Sequence, residues 1–316
     1  MDLDFTPDQR ALREAIVQIV ADNLELPREG GVVPPRTWHH AGRLERDLLL
    51  GGFFGIAREE GCGALEAAIL VYEAGFSPQV FECAASALIA PLLVEDLLPR
   101  PIAVARLADL TRAVRFLDTA RTLIVDMGDD AAILPLAGLE ITPLESNYAV
   151  PLGKFAAMPD LAAARRLGAD KAAELRRLWR LGIALETGAA LQAAIDFTTA
   201  YVKQRQVFGR SVGSFQAVQH RLSADAEKSR GVYWLAMKAA WSGSDKDAAL
   251  AALHAQRAVT QVVYDTHQFN GALGMTLEHA LHCWTFRLRW LGGEMGGARA
   301  QAAEVARLAW GEGAVA

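Results

Sequence analysis

The chain has 316 residues, of which 52% are hydrophobic and 22% are charged, and its formal net charge is -5. This is the balance of an ordinary soluble globular protein, and the acidic net charge gives no general reason to expect nucleic acid as a partner. The 3 cysteines are widely separated and form no CxxC pair, so neither a disulfide framework nor a cysteine zinc site is expected. We predict a cytoplasmic protein, because the first residues form no apolar leader and no apolar run is long enough to span a membrane.

The first hundred residues, 1–100, are predicted to form an N-terminal helical domain. Thr6, Pro7 and Gln9 provide a hydroxyl N-cap, a proline in the first turn and a glutamine that closes a capping box. Further helices are expected over residues 37–50, 63–74 and 81–98.

Residues 101–168 have a different pattern and predict a small β-domain. Short runs of β-prone residues alternate with turn sequences, among them the turn from Met127 to Asp130. The predicted strands cover residues 102–105, 122–125, 132–134 and 139–142.

From residue 169 to residue 316 the chain returns to long helices. Apolar residues recur at helical spacing, the first long helix is expected to end at Gly209 and Gly213, and Ser244 is expected to cap the third. A fourth helix is expected over residues 278–291, and a short helix closes the chain. Four such helices pack as an antiparallel four-helix bundle, so the predicted fold class is mainly α.

The segment around Arg205 is the first candidate for binding chemistry. Arginine at the end of a long helix, beside a glycine turn and a helix start, suits phosphate, because its planar guanidinium can grip two oxygens and the next helix offers free N–H groups. The alternative is a solvated basic helix end, in which Lys203, Arg205 and Arg210 only complement the helix dipole.

A second candidate is the segment from Gln268 to Gly274. Its glycines would let the backbone approach a ligand closely. The alternative is a plain helix C-terminus with glycine caps.

Together these two segments resemble the acyl-CoA dehydrogenase family. The R-x-x-F-G…Q element of that family is matched by Arg205, Phe208, Gly209 and Gln216. Its Q-x-x-G-G-x-G element is matched by Gln268, Gly271 and Gly274, with Ala272 in place of the middle glycine. The N-terminal sequence and the helix–sheet–helix order also resemble the family. Residues 274–282 are similar to dehydrogenases of bacterial steroid breakdown, several of which are heterotetramers of unlike subunits, and the chain resembles their shorter subunit.

The resemblance implies a cofactor, a substrate and a partner. In the family, the arginine of the first element reaches the pyrophosphate of the FAD of a neighbouring subunit, and the second element contacts the adenosine end of that FAD. The substrate would be an acyl-CoA thioester, the partner a larger acyl-CoA dehydrogenase subunit in an α2β2 heterotetramer, and an electron-transfer flavoprotein is a candidate electron acceptor. Neither a nucleic acid nor a membrane is implied.

The sequence also departs from the family pattern. The threonine-glutamate-proline and glycine-serine-aspartate stretch that seats the flavin ring is missing from residues 101–159, so the β-domain is expected to be reduced. At one family position for the catalytic base stands Trp179, followed by a matching Arg180. At the other, a glycine-rich loop, Glu294 lies one residue early and is the candidate base. The alternative for Glu294 is an exposed side chain in a flexible loop, with the base supplied by the partner.

Three functional hypotheses follow. The favoured one is a subunit of a heteromeric dehydrogenase that donates FAD contacts to its partner. The others are a self-sufficient homo-oligomeric dehydrogenase that uses Glu294, and a non-enzymatic helical scaffold. A metal site is not expected, because His279 and His282 have no convincing third ligand and are interpreted as histidines on a helix surface.

Overall fold

The computed structural model describes residues 4–26, 38–145 and 147–311. The first helix, α1, spans Pro7–Ala21. The Thr6 hydroxyl accepts a hydrogen bond from the Gln9 N–H at 3.2 Å, and the Gln9 side chain accepts one from the Thr6 N–H at 3.0 Å. The predicted capping box is confirmed.

Of the other N-terminal helices, one covers the predicted residues 63–74 with Gly63 as its N-cap, and the rest are shorter than predicted. The helices are α2 (Gly42–Leu50), α3 (Ala64–Ala74), and a π-helical turn (Ala85–Ile89) that continues into α4 (Ala90–Leu93). Thr37, where a helix was expected to begin, lies outside the described residues. The helix expected to reach residue 98 ends at Leu93, and beyond it the Arg58 guanidinium donates hydrogen bonds to the carbonyls of Val94 and Asp96, at 2.9 and 2.8 Å.

The middle of the chain forms two small sheets. Their strands are β1 (Ile102–Arg106), β2 (Val114–Arg115), β3 (Thr122–Asp126), β4 (Ala131–Pro135), β5 (Ile141–Leu144), β6 (Leu152–Phe155) and β7 (Arg165–Arg166). One sheet has the order β1-β3-β4-β7, with β1 parallel to β3, and the other has the antiparallel order β2-β6-β5. The predicted turn after β3 is confirmed, since the Met127 N–H donates to the Asp130 carbonyl at 2.9 Å. The sequence missed the short strands β2, β6 and β7.

The C-terminal part contains three long and two shorter helices. They are α5 (Ala169–Gln204), α6 (Gln216–Ser242), α7 (Asp245–Asn270), α8 (Leu281–Leu291) and α9 (Gly297–Trp310). Central to the packing is α5, which is buried along most of its length and contacts α3, α6, α7 and α8. Ser244 caps α7 as predicted, whereas α8 begins at Leu281 and not at Glu278. The mainly helical arrangement of N-terminal helices, small sheets and C-terminal helices is confirmed.

The two helical regions share one hydrophobic core. Ile16 and Leu88 belong to the same buried cluster as Leu181 and Val262, while the sheets enclose a smaller cluster of their own around Leu123. The domain boundaries at residues 100 and 168 stay predictions. Within the described residues, every helix is too short or too polar to cross a membrane.

Candidate functional site

A tight hairpin follows α5. The helix ends at Gln204, before the glycines at which an end was predicted, and β8 (Gln206–Val207) pairs with β9 (Arg210–Ser211). The two residues between these strands are Phe208 and Gly209, with φ of 50° and 78°. Positive φ at both central residues defines a type I′ turn, which glycine adopts freely and phenylalanine does not.

Phe208 is held in this strained turn with its ring in solvent. Its side chain is 97% exposed. A non-glycine residue in the left-handed region costs roughly 1–2 kcal/mol, and no buried contact of the ring offsets that cost. The folding of this chain therefore does not explain a phenylalanine here, whereas contact with another molecule would.

Arg205 lies beside the hairpin and is held through its backbone. Its N–H donates to the Tyr201 carbonyl at 2.9 Å, and its carbonyl accepts from the Val212 N–H at 2.8 Å. The exposed guanidinium forms no ion pair with any residue that the structure describes. Arg210 differs, because its guanidinium lies 4.0 Å from the centre of the Phe215 ring. Arg205 is therefore available to bind an anion, and Gln216, the first residue of α6, is also exposed.

The second element is a turn that only glycine can form. After α7, residues Gly271–Met275 form one 3-10 turn, and Gly271 has φ 61° and ψ -145°, a region closed to side chains. A Cβ at Gly274 would lie 2.8 Å from the Asn270 Cβ. Ala272 is not among the residues with positive φ, so this departure from the family pattern is accommodated without strain.

The structure brings the two elements to the same end of the helical bundle. The Asn270 amide donates to the Thr198 hydroxyl of α5 at 2.9 Å, and both residues are buried. Phe269 packs against a small buried cluster of Val202, Val218 and Leu222, which includes the end of α5. A buried hydrogen bond and a small apolar cluster thus fix the turn after α7 relative to the hairpin after α5.

An open groove runs along this face of α7. It has a volume of about 970 Å³ and is lined by Tyr264, His267, Gln268, Gly271 and Arg289 among others. That volume is at the upper end of the range for ligand pockets. Bare backbone at Gly271 and an amide at Gln268 fit the nucleotide portion of a cofactor such as FAD, and the unpaired Arg205, which does not line the groove, suits a pyrophosphate.

A buried ion bridge lies elsewhere, between the sheets and the helices. Arg115 of β2 reaches Glu186 of α5 at 2.7 Å and Glu294 at 3.3 Å, and the three side chains are only 9–11% exposed. Burial raises the pKa of Glu294, and the Arg115 charge works against that rise. Although burial opposes it, the two carboxylates raise the pKa of Arg115. The guanidinium is therefore a permanent cation between two carboxyl groups.

The expectation of an exposed and flexible Glu294 is wrong. Its carboxylate accepts a hydrogen bond from the Trp179 indole N–H at 3.3 Å, and its carbonyl accepts one from the Gln256 amide at 2.8 Å. The surrounding glycines form a tight turn with positive φ at Gly296 and Gly297, which places the glutamate in the interior. Trp179, at one expected position of the base, and Glu294, one residue before the other, are thus in contact.

Sequence reasoning missed the other members of the bridge. Arg115 and Glu186 are 71 residues apart in the chain. No spacing rule connects a two-residue strand to the middle of a long helix, and the pairing is visible only after folding.

Trp179 and Glu294 line a cavity of about 280 Å³, together with Arg115 and Trp290. This volume is below the usual range of roughly 300–1,000 Å³ for ligand pockets. Arg115, which lines the cavity, already forms ion pairs with two carboxylates. This cavity does not fit a flavin ring together with an acyl thioester.

One of the two histidines that follow the turn after α7, His282, also differs from expectation. His282 is buried, and its Nδ1 lies 2.9 Å from the His279 carbonyl, so it is not a surface residue. In the described ranges, no three histidine, cysteine or carboxylate side chains are grouped to hold a metal ion.

Comparisons with known proteins agree with this architecture. Residues 168–307 match the family of the acyl-CoA dehydrogenase C-terminal domain. The acyl-CoA dehydrogenase IpdE2 of Mycolicibacterium smegmatis is 32% identical over 102 residues, which is 32% of this chain and 33% of that protein. The chain spans about a third of the length of the curated relatives that it matches.

Solved structures match over almost the whole chain. A chain of the ChsE4–ChsE5 complex from Mycobacterium tuberculosis superposes with a TM-score of 0.80 and 21% identity, covering 98% of this chain and 99% of that one. A steroid acyl-CoA dehydrogenase variant, Tcur3481–Tcur3483, gives a TM-score of 0.79 and 23% identity, with coverage of 98% and 99%. Residues 168–307 therefore match the C-terminal domain of the acyl-CoA dehydrogenase family, and the chain as a whole shares the fold of these solved structures.

Proposed function

We propose that this chain is a subunit of a heteromeric, FAD-dependent acyl-CoA dehydrogenase and donates cofactor contacts to a larger partner subunit. The partner carries the flavin-ring pocket and the catalytic base, and the two subunits form an α2β2 heterotetramer. The substrate is a bulky acyl-CoA thioester of the steroid-derived type. Similar solved structures described as a complex of two named chains and as a steroid dehydrogenase support this assignment.

The observation that carries the proposal is the hairpin with Phe208 and Arg205. The ring is 97% exposed in a strained turn, and the neighbouring guanidinium is unpaired among the described residues. Arg205 would hold the pyrophosphate, Phe208, Gly209 and Gln216 would complete that contact, and Gln268, Gly271 and Gly274 would receive the adenosine end. All of these residues except Gly274 are exposed, as a contact across a subunit interface requires, and the buried Gly274 allows the close packing of the turn on Asn270.

The reaction removes one hydrogen from each of two adjacent carbons of the acyl group. A carboxylate takes the α-proton while bound FAD accepts the β-hydride. This chain would bind and orient the cofactor through Arg205 and the glycine turn. Its own cavity of about 280 Å³ is too small for the flavin ring and the acyl thioester together, and Glu294 is paired there with Arg115. The partner would therefore supply the groups that carry out the reaction.

A second candidate is a homo-oligomeric dehydrogenase with Glu294 as its base. It is favoured by one observation: Glu294 is fixed, nearly buried and lines a cavity, and burial raises its pKa. A raised pKa suits a general base at neutral pH. The ion pair with Arg115 counts against it, because a neighbouring cation favours the carboxylate and weakens it as a base.

Co-expression separates these possibilities. We expect the chain made alone to be colourless or poorly soluble, because its interface surfaces are exposed. Co-expression with a larger acyl-CoA dehydrogenase subunit should give a yellow complex with flavin absorbance. As a matched control, Phe208→Gly removes the ring and relieves the strained turn, so the chain should fold at least as well and assemble less.

Each alternative outcome has its own meaning. A flavin-containing, active oligomer of this chain alone would replace the proposal with the homo-oligomeric enzyme. A stable complex that never contains flavin would leave only a scaffold role.

A further inference from the structure

The cavity of about 280 Å³ between the sheets and the helices has a rim that is rich in arginine. Arg106 and Arg112 share one carboxylate, that of Asp109, at 2.6 and 3.7 Å. A third cation, Arg289, also lines the cavity and has no ion-pair partner among the residues that the structure describes. The rim therefore carries three guanidinium groups and only one carboxylate, and the excess positive charge attracts an anion.

The inner walls of the cavity are flat and aromatic. Trp179, Trp290 and Tyr148 line it, and the rings of Tyr148 and Trp290 meet edge to face with centroids 5.3 Å apart. The indole N–H of Trp290 is out of contact with solvent and finds no acceptor in the described structure. Most buried donors are hydrogen-bonded, so an unpaired one beside a cavity indicates a missing acceptor.

Size limits what the cavity can hold. Its volume of about 280 Å³ is below the usual range for cofactor sites, and the Arg115 bridge closes its inner end. A molecule of one or two rings fits, while FAD or an acyl-CoA does not.

We infer that this cavity is a binding site for a small organic anion: a carboxylate on a planar, apolar body, with its charge at the arginine rim and its body between the aromatic walls. The cavity shares Arg289 with the groove along α7, whereas Arg106, Arg112 and the aromatic walls line the cavity and not the groove. Arginine can bind the carboxylate through two parallel hydrogen bonds, and Trp290 supplies a further donor.

The test is a titration with 4-fluorobenzoate followed by fluorine NMR, on the protein as it is purified, with its partner subunit where one is needed. We expect saturable binding with a Kd of about 1 mM or tighter. The neutral isostere 4-fluorobenzamide should bind at least roughly tenfold more weakly, because it lacks the charge.

Matched arginine variants test whether the anion binds in this cavity. Arg112 lines the cavity and not the groove along α7, so Arg112→Gln should weaken benzoate binding roughly tenfold or more without changing FAD content. Arg289→Gln should also weaken it. Arg299→Gln, an exposed arginine of α9 that lines neither space, should have no effect. Equal binding of benzoate and benzamide, equal effects of Arg112→Gln and Arg299→Gln, or no saturation up to ~10 mM would overturn the inference.

Discussion

The end and the middle of α5 use arginine in opposite ways. Arg205 follows the end of the helix, is exposed, and has no ionic partner among the described residues. Arg115 lies against the middle of the helix, is nearly buried, and touches two carboxylates. The first arrangement is completed only by a ligand or partner, whereas the second is complete within the chain. The comparison suggests that one region serves recognition and the other holds the fold together.

This contrast also separates two classes of mutation. Removing an exposed, unpaired side chain changes binding and leaves stability nearly unchanged. Removing the cation of a buried ion bridge leaves uncompensated charge in the interior and affects stability first.

The largest effect is expected for Arg115→Met, which keeps much of the side-chain volume and removes the charge. Two carboxylates then lie buried without their cation, so the free energy of unfolding should fall by about 3–5 kcal/mol. The measurement is denaturant unfolding of the purified protein. Arg112→Met is the matched control, because that side chain is 77% exposed and a change of at most about 0.5 kcal/mol is expected.

The decrease in the free energy of unfolding caused by Arg115→Met should depend on pH. Burial already raises the pKa of Glu294, and removing Arg115 takes away the opposing effect. A carboxyl group whose pKa is raised by folding favours the folded state below its unfolded pKa of about 4.3 and loses that contribution as pH rises. The difference in free energy of unfolding between Arg115→Met and the unsubstituted protein should therefore become smaller as pH falls toward about 4. A difference in free energy of unfolding that stays constant with pH would show that charge burial is not its cause.

A smaller effect in free energy is expected for Arg205→Ala, and it concerns binding. A charge-assisted hydrogen bond contributes about 1.5–3 kcal/mol, so FAD affinity of the assembled complex should fall roughly tenfold to a hundredfold. Arg205→Lys should restore it only in part, because lysine keeps the charge and loses the planar fork. Flavin retention on gel filtration gives the measurement. Unchanged FAD affinity in Arg205→Ala would contradict the proposal that Arg205 binds the pyrophosphate.

The smallest effect is expected for Glu294→Gln. The substitution keeps an acceptor for Trp179, leaves Gln256 on the backbone carbonyl, and leaves Arg115 paired with Glu186. Stability should fall by only about 1 kcal/mol, and turnover of the assembled enzyme by less than about threefold. Steady-state kinetics at matched FAD content provides the measurement. A loss on the order of 10² or more would instead place the catalytic base in this chain.

Local sequence signals predicted much of the fold. The capping box at Thr6, the cap at Ser244 and the turn after β3 each depend on residues close together in the chain, and each is present. The hairpin after α5 was missed because positive φ at Phe208 contradicts the preference of that residue.

In the candidate site, too, residues in local motifs could be predicted from the sequence, whereas contacts between distant segments could not. The motif residues from Arg205 to Gln216 and from Gln268 to Gly274 could be identified from local patterns, and their roles remain predictions. The bridge of Arg115 to Glu186 and Glu294 could not be identified, since it joins a short strand, a long helix and a turn that only the folded chain brings together. Composition also misled at Glu294, because glycines that permit mobility also permit the tight turn that buries it.

The length of α5 has a consequence for exchange of amide hydrogens with solvent. This helix of 36 residues is buried through its middle, so those amides should exchange only when the whole protein unfolds. The turn at Phe208 and Gly209 can open locally and should exchange quickly in the free chain. Assembly with a partner would then slow exchange at the hairpin while leaving the middle of α5 unchanged, and the boundary of the change along one continuous helix would mark how far the interface extends.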